Sequence, residues 1–178
     1  LGGTASDDMA AYASAALTDA GNPAIAYMDT GLFTGQFEIV YAEYDGSSWA
    51  TETVTSESYS SGYGDSAYVD VALDDWGNTH LLYYNLAASQ VEYRYRTSAG
   101  EWASALVIDD STASWMQLAV DGNQQPWFAY YNNDDDSLYY GQGNAVPEPA
   151  TTTLFVIGIM SVISATRRNT KTSGRERS

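Results

Sequence analysis

The densest cluster of possible metal ligands in this sequence is a run of three aspartates, Asp134, Asp135 and Asp136, directly after Asn132 and Asn133. Carboxylate and amide oxygens are the ligands that Ca²⁺ takes from proteins, so the run is a candidate calcium site. The spacing does not match a calcium-binding loop, and Asn and Asp are also typical of hairpin turns. The prediction is therefore a solvated turn between two strands and no cofactor, with calcium as the alternative.

The other titratable groups do not form a catalytic pattern. His80 is the only histidine and the chain has no cysteine, which excludes a two-histidine or cysteine-based metal site within this sequence. Two pairs of adjacent carboxylates occur, Asp74 with Asp75 and Asp109 with Asp110. Neighbours along a strand point to opposite faces, so neither pair predicts the facing carboxylates that glycoside hydrolysis requires. The sequence therefore favours a non-catalytic protein over an enzyme.

Aromatic side chains are the better candidates for ligand recognition. The chain has 15 Tyr and five Trp, and such rings offer a sugar an apolar face together with a polar edge. Trp76 lies in a predicted turn, outside the strands that would pack together, and is the predicted ligand-binding residue. Tyr12, Tyr68 and Trp115 instead recur at one position of the repeat described below, which indicates packing between repeats.

Charge is distributed unevenly along the chain. Residues 1–146 contain 21 acidic and two basic residues, a net charge of −19, and five of the seven basic residues follow residue 166. A surface of this charge repels nucleic acid phosphates and anionic lipid headgroups, so no nucleic-acid partner is predicted. It suits a solvated extracellular or periplasmic protein. The absence of cysteine excludes structural disulfides.

A repeat runs through most of the acidic region. Residues 67–78 are matched by residues 11–22 and by a segment from residue 114, in which we expect about two residues to be lost before Gly122 and Asn123. Further strand-like segments follow each of these at similar spacing, so each copy predicts four antiparallel strands joined by short turns. The copies lie near residues 11–54, 67–107 and 114–140.

Four-stranded units of this length are typical of β-propeller blades. The copies resemble the sialidase-like and WD40-like blade repeats of bacterial surface proteins, although the chain has neither the Ser-x-Asp-x-Gly-x-Thr-Trp box of sialidases nor the Gly-His and Trp-Asp pairs of WD40 repeats. The predicted fold is all-β, with a partial β-propeller over residues 1–141 and a C-terminal hydrophobic helix. The third copy ends after three strands, so we expect upstream sequence to supply the missing strand and further blades. An open β-solenoid or a sandwich is the alternative architecture.

The C-terminal tail combines three features in order. A Pro-Glu-Pro motif is followed by an uncharged, largely apolar run over residues 150–166 and then by a basic end. As a helix the run would span about 25 Å, close to the thickness of a bilayer core. The motif residues are Val146, Pro147, Glu148 and Pro149, and the predicted membrane stop is Arg167 and Arg168.

This order resembles the PEP-CTERM sorting signal of Gram-negative bacteria that make extracellular polysaccharide. The resemblance implies recognition by exosortase, a membrane transpeptidase-like enzyme. It divides the tail into a linker with the Pro-Glu-Pro motif at 142–149, a transmembrane sorting helix at 150–166 and a basic cytoplasmic end at 167–178. A membrane anchor that is never cleaved is the alternative. The implied location is the cell envelope or the extracellular space, with at least transient membrane attachment.

Together these features predict an exported, non-catalytic protein that binds carbohydrate or protein at the cell surface or in the exopolysaccharide matrix. The predicted partners are an exosortase-type enzyme, the membrane and a polysaccharide. Two alternative functions are a polysaccharide lyase or glycosidase whose active site lies in blades outside this sequence, and a structural matrix protein without a specific ligand.

Overall fold

The computed structural model describes residues 8–31, 35–59, 68–146 and 161–163. Within these ranges the chain forms twelve β-strands and no helix, which confirms the predicted all-β class. The strands form three antiparallel sheets of four strands each. β-branched and aromatic residues, which favour extended backbone, occur in every one of these strands.

Each sheet is a meander in which every strand pairs with the next one along the chain. Sheet 1 contains β1 (Asp8–Leu17), β2 (Pro23–Gly31), β3 (Gln36–Tyr44) and β4 (Trp49–Ser58). Sheet 2 contains β5 (Val69–Leu73), β6 (Thr79–Asn85), β7 (Gln90–Arg96) and β8 (Leu106–Asp109). Sheet 3 contains β9 (Ala113–Val120), β10 (Pro126–Asn132), β11 (Ser137–Gln142) and β12 (Ser161–Ile163).

The turn between the first two strands has the same geometry in all three sheets. Thr18, Asp74 and Asp121 each open this turn, and the backbone N–H of each donates to the carbonyl oxygen four residues later, at 2.9, 3.1 and 3.0 Å. The residue three positions after each of them has a positive φ, which is 77° at Gly21 and 76° at Gly77. Glycine adopts this left-handed conformation without a steric penalty, so these turns form locally.

The third turn corrects the sequence alignment. Gln124, with a φ of 62°, takes the position that Gly77 has in sheet 2, and Asp121 takes that of Asp74. The turn therefore has the same length in sheet 3 as in the other sheets. The expected loss of about two residues before Gly122 and Asn123 is wrong, because the left-handed position is occupied by a residue other than glycine.

The three sheets pack together around their first strands. β1 contacts β5, and β5 contacts β9, so sheet 2 lies between the other two. The Asp70 carboxylate on β5 accepts a hydrogen bond from the Ser14 hydroxyl on β1 and another, at 2.6 Å, from the Leu118 N–H on β9. Hydrogen bonds to an ionised acceptor are stronger than neutral ones. Asp70 thus ties all three sheets together, although the described sheets do not close into a ring.

The junction between sheets 1 and 2 contains both apolar and charged contacts. The rings of Tyr41 and Trp102 meet edge to face, with centroids 5.7 Å apart. The Arg96 guanidinium lies 2.8 Å from the Glu52 carboxylate, across the same junction. These contacts cover the face of sheet 1 that points toward sheet 2.

The fourth position of sheet 3 differs from the sequence prediction. The third copy was expected to end after three strands, whereas Ser161–Ile163 pairs with β11 as its fourth strand. These three residues belong to the predicted transmembrane helix at 150–166. The helix prediction is wrong for them, because they form a β-strand. The rest of that helix lies outside the described residues. The predicted linker begins on the sheet, where Gly143 donates to the Pro126 carbonyl at 2.7 Å and Val146 is buried.

Candidate ligand-binding site

Three aromatic residues at equivalent positions form a row across the three sheets. This aromatic row consists of Tyr12, Tyr68 and Trp115, with centroid distances of 4.6 Å between the first two rings and 5.9 Å between the last two. Tyr68 is partly buried in the middle, while Tyr12 is 44% exposed and Trp115 is 73% exposed. The sequence interpretation of these residues as packing between repeats was therefore incomplete. The rings do contact one another across sheets, but the outer two also face solvent.

An uncommon backbone conformation orients the two outer rings, Tyr12 and Trp115. Tyr12 and Trp115 have φ values of 59° and 53°, a left-handed conformation that costs a residue of this size about 1–3 kcal/mol. Both lie at β-bulges, since the register shifts directly after Ala11 in β1 and after Ala129 in β10. Bulges redirect side chains and are over-represented next to functional sites. Sheets 1 and 3 thus have a bulge and an unfavourable φ at the same position. This indicates that the orientation of the ring at that position is functionally important.

A hydrogen-bonded scaffold holds the aromatic row. Asp70, two residues after Tyr68, bonds the first strands of all three sheets through Ser14 and Leu118. The Tyr68 carbonyl accepts a hydrogen bond from the Tyr84 N–H at 3.0 Å. Rings fixed in this way lose little conformational freedom when a ligand binds.

The electrostatics of the row disfavour an anionic ligand. Within the described part of the chain the basic residues are Arg94 and Arg96, and both reach across to sheet 1, where they bond Val54 and Glu52. Neither cation is available to neutralise a ligand at the first strands, where Asp70 adds a negative charge. The row therefore suits an uncharged molecule with flat apolar faces.

Trp76, the ligand-binding residue predicted from sequence, lies elsewhere. It is partly exposed in the turn after β5, at the opposite end of that strand from Tyr68. Its backbone N–H donates to the Asp74 carboxylate at 3.0 Å. Ala20 and Asn123 occupy the equivalent turn positions in the other sheets. The structure does not bring Trp76 to the aromatic row, and ligand contact through Trp76 stays a prediction.

His80 is a buried structural residue. Its Nδ1 lies 2.6 Å from the Tyr93 hydroxyl and its Nε2 lies 3.3 Å from the Asp74 carboxylate. Burial lowers the pKa of His80 below its ordinary value, outweighing the opposite effect of Asp74. Burial likewise raises the pKa of the Tyr93 hydroxyl. With no exposed surface of its own, His80 cannot meet a substrate.

The adjacent carboxylates join structural elements. Asp75 accepts from the Gln124 amide at 2.8 Å and donates its backbone N–H to the same amide at 2.8 Å, linking the turns of sheets 2 and 3. Asp109 accepts from the Tyr130 hydroxyl at 2.6 Å, which also links sheet 2 to sheet 3. Asp75 and Asp109 therefore make these hydrogen bonds to other parts of the fold, as structural residues do.

The candidate calcium ligands lie in the exposed turn between β10 and β11. Asp134 accepts from the Thr112 N–H at 3.1 Å, Asp135 accepts from the Tyr139 hydroxyl at 2.5 Å, and Asp136 accepts from a tyrosine of β10. Hydrogen bonds from Thr112 lower the pKa of Asp134. The three carboxylates thus serve different donors. Among the described residues, no three His, Asp or Glu side chains are placed to hold one metal ion.

Most of the predicted sorting signal lies outside the described residues. Val146 is the one described residue of the motif, and the Pro-Glu-Pro residues and both membrane-stop arginines stay predictions: Pro147, Glu148, Pro149, Arg167 and Arg168. In the described ranges there is no apolar helix of membrane-spanning length.

Comparisons with models of protein families, with curated proteins and with solved structures found no match for this chain.

Proposed function

We propose that this chain is the recognition part of an exported, surface-sorted protein and that it binds a neutral carbohydrate along the aromatic row. The observation that carries the proposal is the outward placement of Tyr12 and Trp115 at the same position of stacked sheets. A sugar ring has an apolar face that stacks on an aromatic ring, while its hydroxyl groups bond the polar edges of Tyr and Trp.

The spacing of the row favours an extended ligand. Its rings follow one another at 4.6 and 5.9 Å, so a linear saccharide contacts several of them at once. Each additional contact adds to affinity without a further loss of translational freedom. The net charge of −19 over residues 1–146 disfavours a polyanionic saccharide. A neutral polysaccharide chain is therefore the proposed class of ligand.

The arrangement of the sheets supports a propeller type of architecture. Each sheet is a four-stranded meander, and the first strands β1, β5 and β9 lie side by side, as the innermost strands of blades do. Further sheets of the same kind, from this chain or from a second copy of it, would complete the ring. Propellers expose loops and strand ends near their axis, which is where the aromatic row would lie.

The tail sequence supports the sorting half of the proposal. The Pro-Glu-Pro motif, the uncharged run over 150–166 and the basic end occur together and in the order that the PEP-CTERM signal has. Attachment to the cell surface or release into a polysaccharide matrix would bring the aromatic row to its ligand.

The test is saccharide binding by the full chain, measured by tryptophan fluorescence titration with neutral gluco- and manno-oligosaccharides and with uronate oligosaccharides of equal length. We expect the neutral compounds to bind and the uronates to bind much more weakly. Replacing Trp115→Ala should weaken binding at least tenfold, which corresponds to about 1.4 kcal/mol. Trp76→Ala is the matched control, because it removes the same side chain at the other end of β5.

Two outcomes contradict the proposal. A chain that binds none of the neutral saccharides has no such recognition function, and the structural matrix role then explains the repeats better. Loss of binding in the Trp76 variant with full affinity in the Trp115 variant would move the site from the aromatic row to the turn.

A further inference from the structure

Sheet 3 exposes a face whose counterparts in the other sheets are buried. This end face consists of Trp127 on β10 and of Leu138 and Tyr140 on β11, which are 40%, 61% and 40% exposed. An apolar sheet face of this kind is normally covered by another layer of structure.

The strand register identifies the counterparts of the end face. Tyr140 pairs with β10 at the position where Tyr41 pairs with β2 and Tyr93 pairs with β6. Tyr41 is only 2% exposed and Tyr93 only 5% exposed. Tyr41 is covered because sheet 2 lies over it, with Trp102 against its ring.

The same comparison holds two residues further along the strands, on the same face. Leu138 has the register position of Ile39 on β3 and of Val91 on β7, and both of these are fully buried. Sheets 1 and 2 therefore each use this face to contact the sheet that follows. In sheet 3 the corresponding face lacks a following sheet among the described residues.

On sheet 1, the opposite kind of face is the one that the described residues leave uncovered. This front face consists of Leu17, which is 68% exposed, and of Ile25 and Tyr27, which are partly buried. By register and turn geometry, Ile25 and Tyr27 correspond to Leu81 and Tyr83 in sheet 2, and those two are fully buried.

Two contacts show that such faces point toward the preceding sheet. Arg94, which pairs directly with Leu81, donates to the Val54 carbonyl of sheet 1 at 3.1 Å. Tyr130, the equivalent of Tyr83 in sheet 3, donates to Asp109 of sheet 2 at 2.6 Å. The described sheets thus present, at the two ends of their stack, the two kinds of face that meet at the internal junctions.

We propose that the end face of one copy of this chain docks onto the front face of a second copy, head to tail, in the way that sheet 2 follows sheet 1 and sheet 3 follows sheet 2. The occupant is inferred from continuity with the internal junctions, where these two faces already bind each other. A head-to-tail interface repeats, so it closes into a ring or extends into a filament. Each copy carries a net charge of −16, so added salt should screen their repulsion and strengthen the association.

The experiment uses the full chain and two charge variants, studied by sedimentation velocity across a range of protein and salt concentrations. Leu138→Asp blocks the end face and Leu17→Asp blocks the front face, and both residues are largely exposed, so both variants should fold. Leu106→Asp is the matched control, since Leu106 is 40% exposed on β8 and belongs to neither face. We expect wild type and the control to associate, more strongly in high salt, and each blocked variant to stay monomeric.

Mixing the two blocked variants gives the sharpest result. Each of them retains one intact face, so an equimolar mixture should form a one-to-one dimer and nothing larger. A mixture that stays monomeric overturns the proposal, as does self-association of either blocked variant at the wild-type level. A wild-type chain that is monomeric at every concentration and salt level also overturns it, and would assign the end face to residues 147–178 or to a different polypeptide.

Discussion

Replacing Asp74→Ala would remove the acceptor at the centre of a buried turn. The Asp74 carboxylate accepts from the Trp76 N–H at 3.0 Å, and from the Asn78 N–H and the Asn78 side-chain amide at 2.8 Å each. It also lies 3.3 Å from Nε2 of His80. Asn78 and His80 are fully buried, so water cannot replace the lost acceptor. The substitution would leave the Asn78 side-chain amide and Nε2 of His80 without this acceptor, at a cost of about 1–3 kcal/mol each.

The chain offers a matched control for this change in sheet 3. Asp121 opens the same kind of turn and accepts from the N–H groups of Asn123 and Gln125 at 2.8 and 3.0 Å. Its further donor is Nε1 of Trp127, an exposed side chain that water can bond instead. Asp121→Ala should therefore lose much less stability than Asp74→Ala.

Urea unfolding, followed by tryptophan fluorescence, measures the difference. We expect Asp74→Ala to lower the free energy of unfolding by about 2–6 kcal/mol, which is a large part of the about 5–15 kcal/mol that a domain has. The slope of the transition should stay constant, so the change appears as a lower midpoint. Equal midpoints for the two variants would refute the reasoning, because the buried donors would then contribute nothing beyond the turn itself.

Two further predictions concern pH and the tail. Burial lowers the pKa of His80 in the folded chain below its ordinary value of 6.5. As the pH falls, His80 of the unfolded chain therefore binds a proton before His80 of the folded chain does. The stability that comes from neutral His80 is complete above pH 6.5 and is lost as the pH falls from 6.5 toward the pKa of the folded state. An NMR titration of the His80 ring should show a pKa below 6.5, and a value above 6.5 would contradict the burial argument. For the tail, intact mass of the mature protein should place the C-terminus near Pro149 after processing, whereas a chain that still ends at Ser178 would leave an uncleaved membrane anchor.

The strands and most of their turns could be predicted because they depend on residues close in sequence. Alternating apolar residues and the Gly21 and Gly77 turns specify hairpins without reference to the rest of the chain. The third turn was misaligned because Gln124 adopts the left-handed backbone that glycine marks in the other two. The third turn was recognised as equivalent to the other two by the hydrogen bond from the Asp121 N–H to the Gln125 carbonyl, because no glycine marks its left-handed position.

The sequence predicted the contacts within the aromatic row but not the exposure of its outer rings. The recurrence of Tyr12, Tyr68 and Trp115 at one repeat position predicted correctly that they contact one another. Their exposure depends on two bulges and on positive φ values, which no residue pattern announces. Trp76 drew attention because it stands in a turn, but the structure places it at the far end of its strand.

The sequence by itself determined the all-β class, the meander order and the acidic surface, since these follow from local alternation, turn residues and counted charges. Only the tertiary structure decided which of the repeated residues are covered. Tyr41 and Tyr140 occupy the same register position on similar strands, yet one is buried and the other exposed. The physical reason is that burial is a property of the neighbouring layer, and sheet 1 has a sheet packed over this face while the described part of sheet 3 does not.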